Sequence, residues 1–278
     1  MSASLTARYE FAIELVREAG LLAAEARETL GALEAKDPMD YATRADRAVE
    51  ALIRQRVAER FGDAVIGEED GGIPASVVWV VDPIDGTTNY IHGAPRWCVS
   101  IGLLVEGEPE IGVINAPDEG RLFTARRGHG AFLNGYSIGV SGLRHRASPV
   151  VETGWSPRRP FPAYTSLVGR LIADGIEFRR LGSGALGMAD AACGRNDGYL
   201  EMHINAWDVL AGMVLVREAG GWLNPFLDND GLTKGNPIVA CTPEITERLM
   251  AAMPIDTGRT ANQSRHRSQY PGPALPED

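Results

Sequence analysis

Asp82 and Asp85 stand three residues apart in DPIDGTT, at the end of the apolar run SVVWVVDPI. A proline between them and a glycine behind are ordinary turn chemistry, so the segment fits a plain strand-ending turn. It equally fits a place where two carboxylates converge on a hard cation, and oxygen-only ligands with room for water suit Mg²⁺. Other acidic segments bear on the choice. Glu68, in IGEED, follows an apolar strand end a short way before Asp82, so a short return connection brings both carboxylates to one sheet edge. Asp208, in NAWDVLAG, stands where an N-capping carboxylate would, and such a cap can also face a metal. Thr43 and Asp46 have capping-box spacing, with Asp in place of the usual Glu. Capping or solvation explains each segment alone; a cation site explains them together.

The elements that must position these groups read as follows. Leu5, Tyr9, Ala12, Ile13, Val16, Ala19, Ala23 and Ala26 recur at helical spacing, predicting a helix over 4–30 with Gly31 as its stop. EAKDPMDYAT reads as a loop, with Thr43 as the N-cap of a second helix that ends near Phe61. WCVSIGLLVEG and PEIGVINAP form a hairpin across Gly-Glu-Pro, and RLFTARRGHGAFLNG continues the sheet. Beyond 135–149, helices are predicted near 163–174 and 185–194, with a strand at 176–181 and another in DGYLEMHI. The helix WDVLAGMVLVREAGG then ends at Gly220 and Gly221.

The chain has 278 residues and a formal net charge of −10 with no long basic run, which argues against a nucleic-acid or membrane binder. A phosphorylated substrate would also be repelled, unless bound cations reverse the local field. Three separated cysteines and five histidines offer neither a disulfide framework nor a zinc spacing. No signal peptide and no apolar run of spanning length occur, so the expected location is cytoplasmic.

GEE at 67–69, DPIDGTTNYIHG at 82–93 and WDVLAGMVLVREAGG at 207–221 together resemble the inositol monophosphatase family of Mg²⁺-dependent, lithium-sensitive phosphatases. LGSGALGMADAACGRNDGYLE at 181–201 is similar to the family's substrate-side helix and strand. The resemblance implies an α+β fold, a layered αβαβα sandwich of the sugar-phosphatase type. It implies one phosphatase domain over 1–255, with a metal-site half over 1–140, a substrate-side half over 141–255 and a disordered tail at 256–278.

By the same resemblance, Glu68, Asp82, the Ile84 carbonyl, Asp85 and Asp208 bind two or three Mg²⁺ ions, with Asp82 bridging. Gly86 and Thr87 offer main-chain donors to the phosphate, to which Asp85 also lies close, and Thr87, with Asp46 behind it, orients the attacking water beside Glu68. Glu69 and Lys36 match supporting positions, and Trp155, Gly182, Ser183, Gly184 and Glu201 match the substrate side. Trp155, Gly184 and His203 depart from the animal enzymes' pattern, and the loop between Glu68 and Asp82 is shorter.

The implied reaction is hydrolysis of a small phosphate monoester by metal-activated water, with myo-inositol 1-phosphate as the first candidate and a homodimer as the expected state. Histidinol phosphate is the main alternative, because Trp155 can pack an imidazole. Fructose 1,6-bisphosphate and 3′-phosphoadenosine 5′-phosphate rank lower; the latter subgroup usually carries Lys or Arg where this chain has Thr88. From a different class, a non-catalytic metal- or phosphate-binding relative is opposed by the intact set Glu68, Asp82, Asp85, Thr87 and Asp208.

Overall fold

Apolar residues repeating every three to four positions fold the amino terminus into helix α1 (Leu5–Arg27), and the Ser4 side chain accepts from the Ala7 N–H at 3.2 Å. The computed structural model describes residues 4–28, 34–37, 40–42, 44–143 and 148–253. Gly31, Thr43, the Lys36 side chain and the 256–278 tail lie outside the described residues. The segment expected as a loop instead pairs β1 (Glu34–Asp37) with β2 (Asp40–Ala42), runs too short to show an alternation in sequence. Helix α2 (Arg44–Arg60), β3 (Ala64–Gly67), β4 (Val77–Asp85) and the short α3 (Thr87–Ile91) follow.

Strands β5 (Cys98–Val105) and β6 (Glu108–Ala116) form the expected hairpin, but its turn is Glu106-Gly107 rather than Gly-Glu-Pro. Both turn residues have positive φ, 50° and 80°, the signature of a two-residue turn whose twist matches its strands. Strands β7 (Arg121–Arg126), β8 (Ala131–Leu133) and β9 (Tyr136–Ser137) complete a seven-stranded sheet in the order β3-β4-β5-β6-β7-β8-β9. Only β3 and β4 are parallel.

The remainder opens with β10 (Val150–Thr153), a strand not expected from the sequence, and then alternates as expected: α4 (Phe161–Ala173), β11 (Glu177–Arg179), α5 (Gly184–Ala192), β12 (Gly198–Ile204) and α6 (Ala206–Glu218). Then come β13 (Trp222–Leu223), α7 (Gly231–Lys234), β14 (Asn236–Cys241) and α8 (Thr246–Ala252). The second sheet runs β11-β10-β12-β14-β13, parallel around β10 and antiparallel around β14.

Three apolar clusters stack these elements into five layers. α1 and α2 cover one face of the first sheet, on Trp79, Val81, Ile101 and Val113. α5 and α6 fill the space between the sheets, against Val80, Phe123, Tyr199 and Ile238. α4 and α8 close the far face of the second sheet on Val151, Leu200 and Val239. The architecture is therefore α+β, an αβαβα sandwich. Among the described residues no helix is long and apolar enough to cross a membrane.

The close seating of α6 on the first sheet depends on Gly112 of β6. A Cβ there would lie 2.2 Å from the Ala211 carbonyl oxygen, which is backbone and cannot rotate away. Gly112→Ala is expected to cost about 2–3 kcal/mol, read as a lower urea midpoint at unchanged slope.

Candidate metal centre and substrate pocket

Residues three apart in a regular strand point to opposite faces, so Asp82 and Asp85 should diverge. They do not, because the β4–β5 pairing slips: Asp82 lies opposite Ser100 and Asp85 opposite Cys98. Three steps along β4 thus match two along β5, and the extra residue resets the alternation. Such a bulge also tolerates Pro83, whose missing N–H would break a regular central ladder. The parallel register of β3 and β4 places Gly67 opposite Val81, and the Glu68 N–H donates to the Val81 carbonyl at 3.2 Å. Glu68 is thereby carried to the same sheet edge.

Asp208 comes from the first turn of α6. It is not the N-cap expected from the sequence. Asn205 is the cap, and Asp208 is the third helical residue, accepting from the Asn205 N–H at 3.1 Å. The capping side chain sits three residues earlier because an Asn-Ala-Trp-Asp run offers two competent caps, and only Asn205 has extended backbone. Carboxylate oxygens of Asp82, Asp85 and Asp208 lie within 4.8 Å of one another.

Asp82 is buried. Its Oδ1 accepts from the Ile84 N–H at 3.0 Å, and its Oδ2 has no hydrogen-bond partner among the described residues. Burial, then Glu68, Asp85, Asp208 and Asp46, push the Asp82 carboxyl well above the usual carboxylate range. Burial, then Glu68, Asp85 and Glu201, do the same to Asp208. Clustered carboxylates with an orphaned oxygen are poorly served by the protein alone and suit a hard divalent cation. The donor set fits the group.

Asp85 is held more fully. Burial raises its pKa, but the Ser183 hydroxyl and the N–H groups of Ala185 (2.8 Å) and Gly184 (3.2 Å) donate to it and pull the other way. These donors open α5, so the carboxylate sits at a helix start, where an anion is favoured. Ser183 also caps α5, accepting from the Leu186 N–H at 3.2 Å. Ser183 and Gly184 line the cleft as the resemblance implies, yet the serine hydroxyl's one proton goes to Asp85. Asn89 ties Gly182's neighbourhood to α3, donating to the Arg96 and Leu181 carbonyls at 2.8 Å each.

Gly86 begins α3 with φ 88°, and a Cβ there would crowd the Arg96 carbonyl at 3.0 Å. The Thr87 hydroxyl donates to the Ile84 carbonyl at 3.0 Å and lies 3.5 Å from the Asp46 carboxylate, which is fully buried.

The carboxylates floor one end of a cleft of about 420 Å³. Its other wall carries Trp155, Glu201 and His203. The Trp155 indole N–H donates to the Arg159 carbonyl at 3.1 Å, and its ring packs edge-on to Phe161. Glu201 is buried, not the solvent-facing strand residue its polarity suggests. It accepts from the Tyr199 hydroxyl at 2.7 Å, and burial pushes its carboxyl up to about 7. Burial, with Arg158 and Arg159, lowers His203, so its ring is held toward the neutral form.

Sequence reasoning missed two groups of residues. Arg158 and Arg180 rim the cleft, exposed and without an ion-pair partner among the described residues. Behind the site, buried Asp190 binds Arg96 (2.8 Å) and Arg121 (2.5 Å), while Arg96 also binds Glu152 at 2.5 Å. Arg96 bears on Asp85 through its charge and pulls that carboxyl's pKa down. Neither group has a local sequence signal, since each joins residues from different elements.

Layered sheets with a carboxylate cluster where strand ends meet helix starts define an α+β protein with an acidic edge that could hold a cation. The chain belongs to the inositol monophosphatase family, whose model matches residues 4–255. It is 39% identical over 254 residues to Escherichia coli Nus factor SuhB, covering 87% of this chain and 94% of that one. The Bartonella henselae extragenic suppressor protein suhB superposes with a TM-score of 0.81 at 34% identity, covering 88% of this chain and 98% of its own. An inositol monophosphatase from Anabaena (Nostoc) does so at 0.78 and 32% identity, covering 91% and 98%.

Proposed function

We propose that the chain is a Mg²⁺-dependent phosphomonoesterase for a small polyol phosphate, myo-inositol 1-phosphate first. The observation that carries this reading is the convergence of Asp82, Asp85 and Asp208 around an orphaned Asp82 oxygen, at one end of a cleft whose other end is polar. Family membership and the name of the Anabaena neighbour support it. Glu68, Asp82, Asp85, Asp208 and the Ile84 carbonyl would hold two or three ions. Bound there, Mg²⁺ activates water and neutralises phosphoryl charge.

The chain's own residues divide the remaining work. The Gly86 and Thr87 main-chain N–H groups, at the N-cap and first residue of α3, would donate to the phosphate. Thr87 orients the attacking water, and Asp46 stands behind its hydroxyl to receive a proton. Glu201, ionised above about pH 7, accepts hydrogen bonds from vicinal hydroxyls. Arg158 and Arg180 draw the anion to the cleft mouth. A homodimer in the cytoplasm belongs to the same proposal, and light scattering tests the dimer.

Phosphate release from inositol 1-phosphate, histidinol phosphate, fructose 1,6-bisphosphate and 3′-phosphoadenosine 5′-phosphate, with Mg²⁺ or EDTA, tests the function. Turnover of the first, abolished by EDTA, is expected; no turnover of any sinks the enzyme reading. Trp155→Ser removes a flat ring from the pocket wall. It should change the inositol 1-phosphate to histidinol phosphate preference about tenfold, at a smaller cost in rate. An unchanged ranking places Trp155 outside substrate contact.

A second reading comes from the E. coli relative, whose name is that of a Nus factor and which matches over nearly its whole length. Co-purification of protein partners with the chain would test it. It does not compete with catalysis, because the carboxylate set is intact.

A further inference from the structure

Glu50 and Arg54 follow Asp46 at four-residue steps along α2, so all three share one helix face. Asp46 reaches Thr87. The other two reach the turn that presents Glu68. Glu50 is fully buried, and its carboxylate accepts from the Glu69 N–H at 2.8 Å and the Asp70 N–H at 3.0 Å. Arg54 donates to Glu50 at 2.8 Å, to the Val65 carbonyl at 3.1 Å and to the Gly71 carbonyl.

The turn is shaped to admit this carboxylate. A Cβ on Gly67 would lie 2.3 Å from Glu50 Oε1, so only glycine leaves the space. The Gly67 N–H closes the turn on the Gly71 carbonyl at 2.9 Å, and the Glu68 N–H is fixed to β4. The backbone of Glu68 is therefore clamped before and after by two α2 side chains. Polar contacts so buried, all aimed at a five-residue turn, exceed what stitching a helix to a strand requires.

We propose that Glu50 is a positioning residue: with Arg54 it fixes where Glu68 stands beside Asp82 and thereby sets the cation affinity of the site. The proposal rests on the metal reading above. α2 then acts as one splint, holding the cation ligand Glu68 and the Thr87–Asp46 pair in a common frame.

Glu50→Gln replaces one acceptor oxygen by an amide that opposes a backbone N–H. Arg54→Lys is milder: it keeps the charge beside Glu50 but loses the fork to Val65 and Gly71. Arg8→Met serves as the control, because it breaks a buried ion pair with Asp63 (2.8 Å) on another face. The readout is Mn²⁺ affinity, titrated by the paramagnetic resonance signal of the free ion, alongside melting temperature in EDTA. Glu50→Gln is expected to bind Mn²⁺ about tenfold more weakly, and Arg54→Lys about threefold. Both should recover most of their phosphatase kcat at saturating Mg²⁺. Arg8→Met should melt lower at unchanged affinity.

Folded variants with parental Mn²⁺ affinity overturn the proposal, as does an equal affinity loss in Arg8→Met. If Glu50→Gln does not fold, Arg54→Lys decides alone. A parent chain that binds no Mn²⁺ sinks the metal reading itself, a result distinct from equal affinities in parent and variant.

Discussion

Asp82→Asn is expected to yield an inactive protein that melts higher than the parent in EDTA. Asp82 is buried beside Glu68, Asp85, Asp208 and Asp46, and both burial and those neighbours oppose its charge. Asparagine keeps a carbonyl for the Ile84 N–H, and its amide can donate to the adjacent carboxylates, where Oδ2 had no partner. Sites built for function commonly hold such strain, and relieving it yields about 1–2 kcal/mol. At this chain length that is a rise of roughly 2–8 °C. Activity should fall at least about 10³-fold, because the residue implied to bridge the cations is gone. Mg²⁺ should no longer raise the melting temperature. A variant that keeps the parental Mg²⁺-dependent rise would remove Asp82 from the ligand set. Asp85→Asn should not share the gain, because Ser183, Gly184 and Ala185 already satisfy that carboxylate and an amide would face one donor with another.

The second large effect is a reversal of pH dependence by the cation. Asp82, Asp85 and Asp208 have raised pKa values in the fold, so above the ordinary carboxylate range the folded chain holds protons that the unfolded chain has lost. Glu152 and Glu201, each pushed up mainly by burial to about 7, add to this. Stability in EDTA is therefore greatest below the ordinary carboxylate pKa of about 4 for this set, and falls as pH rises through 7 and beyond. Each group contributes up to about 1.4 kcal/mol per pH unit within its window. Mg²⁺ selects the ionised forms, so its stabilisation grows with pH. Melting curves at pH 5.5, 7 and 8.5, with and without Mg²⁺, should diverge toward alkali. An EDTA melting temperature that climbs with pH would contradict the carboxylate cluster as the dominant titrating unit.

Much of this site was legible because its motifs are local. DPIDGTT shows two carboxylates beside residues that bend a strand, and the bulge that turns both to one side is the physical form of that bend. The α1 and α6 periodicities and the β5–β6 hairpin were equally local, although the hairpin turn lay one residue earlier than its proline suggested. Asp208 reads from the sequence as an N-cap, but the cap is Asn205, since helix starts are poorly fixed by sequence. What stayed hidden was pairing at a distance. Ser183 matches a substrate-side position by resemblance, and nothing in its sequence neighbours announces its hydrogen bond to Asp85. Glu50 and Arg54 carry no local signal of their contacts with the 67–71 turn. Arg96, Arg121, Glu152 and Asp190 are scattered over three sheet and helix segments and an intervening loop, and only folding makes them one network.

The carboxylates that meet in this cleft are made at very different times. Glu68, Asp82 and Asp85 leave the ribosome with the first sheet, while Asp208 and the α5 donors to Asp85 arrive only after most of the chain is synthesised. A nascent first sheet therefore carries three acidic side chains without the Ser183, Gly184 and Ala185 donors to Asp85. The carboxylate cluster is complete only when α6 packs against the first sheet, so it requires both halves of the chain.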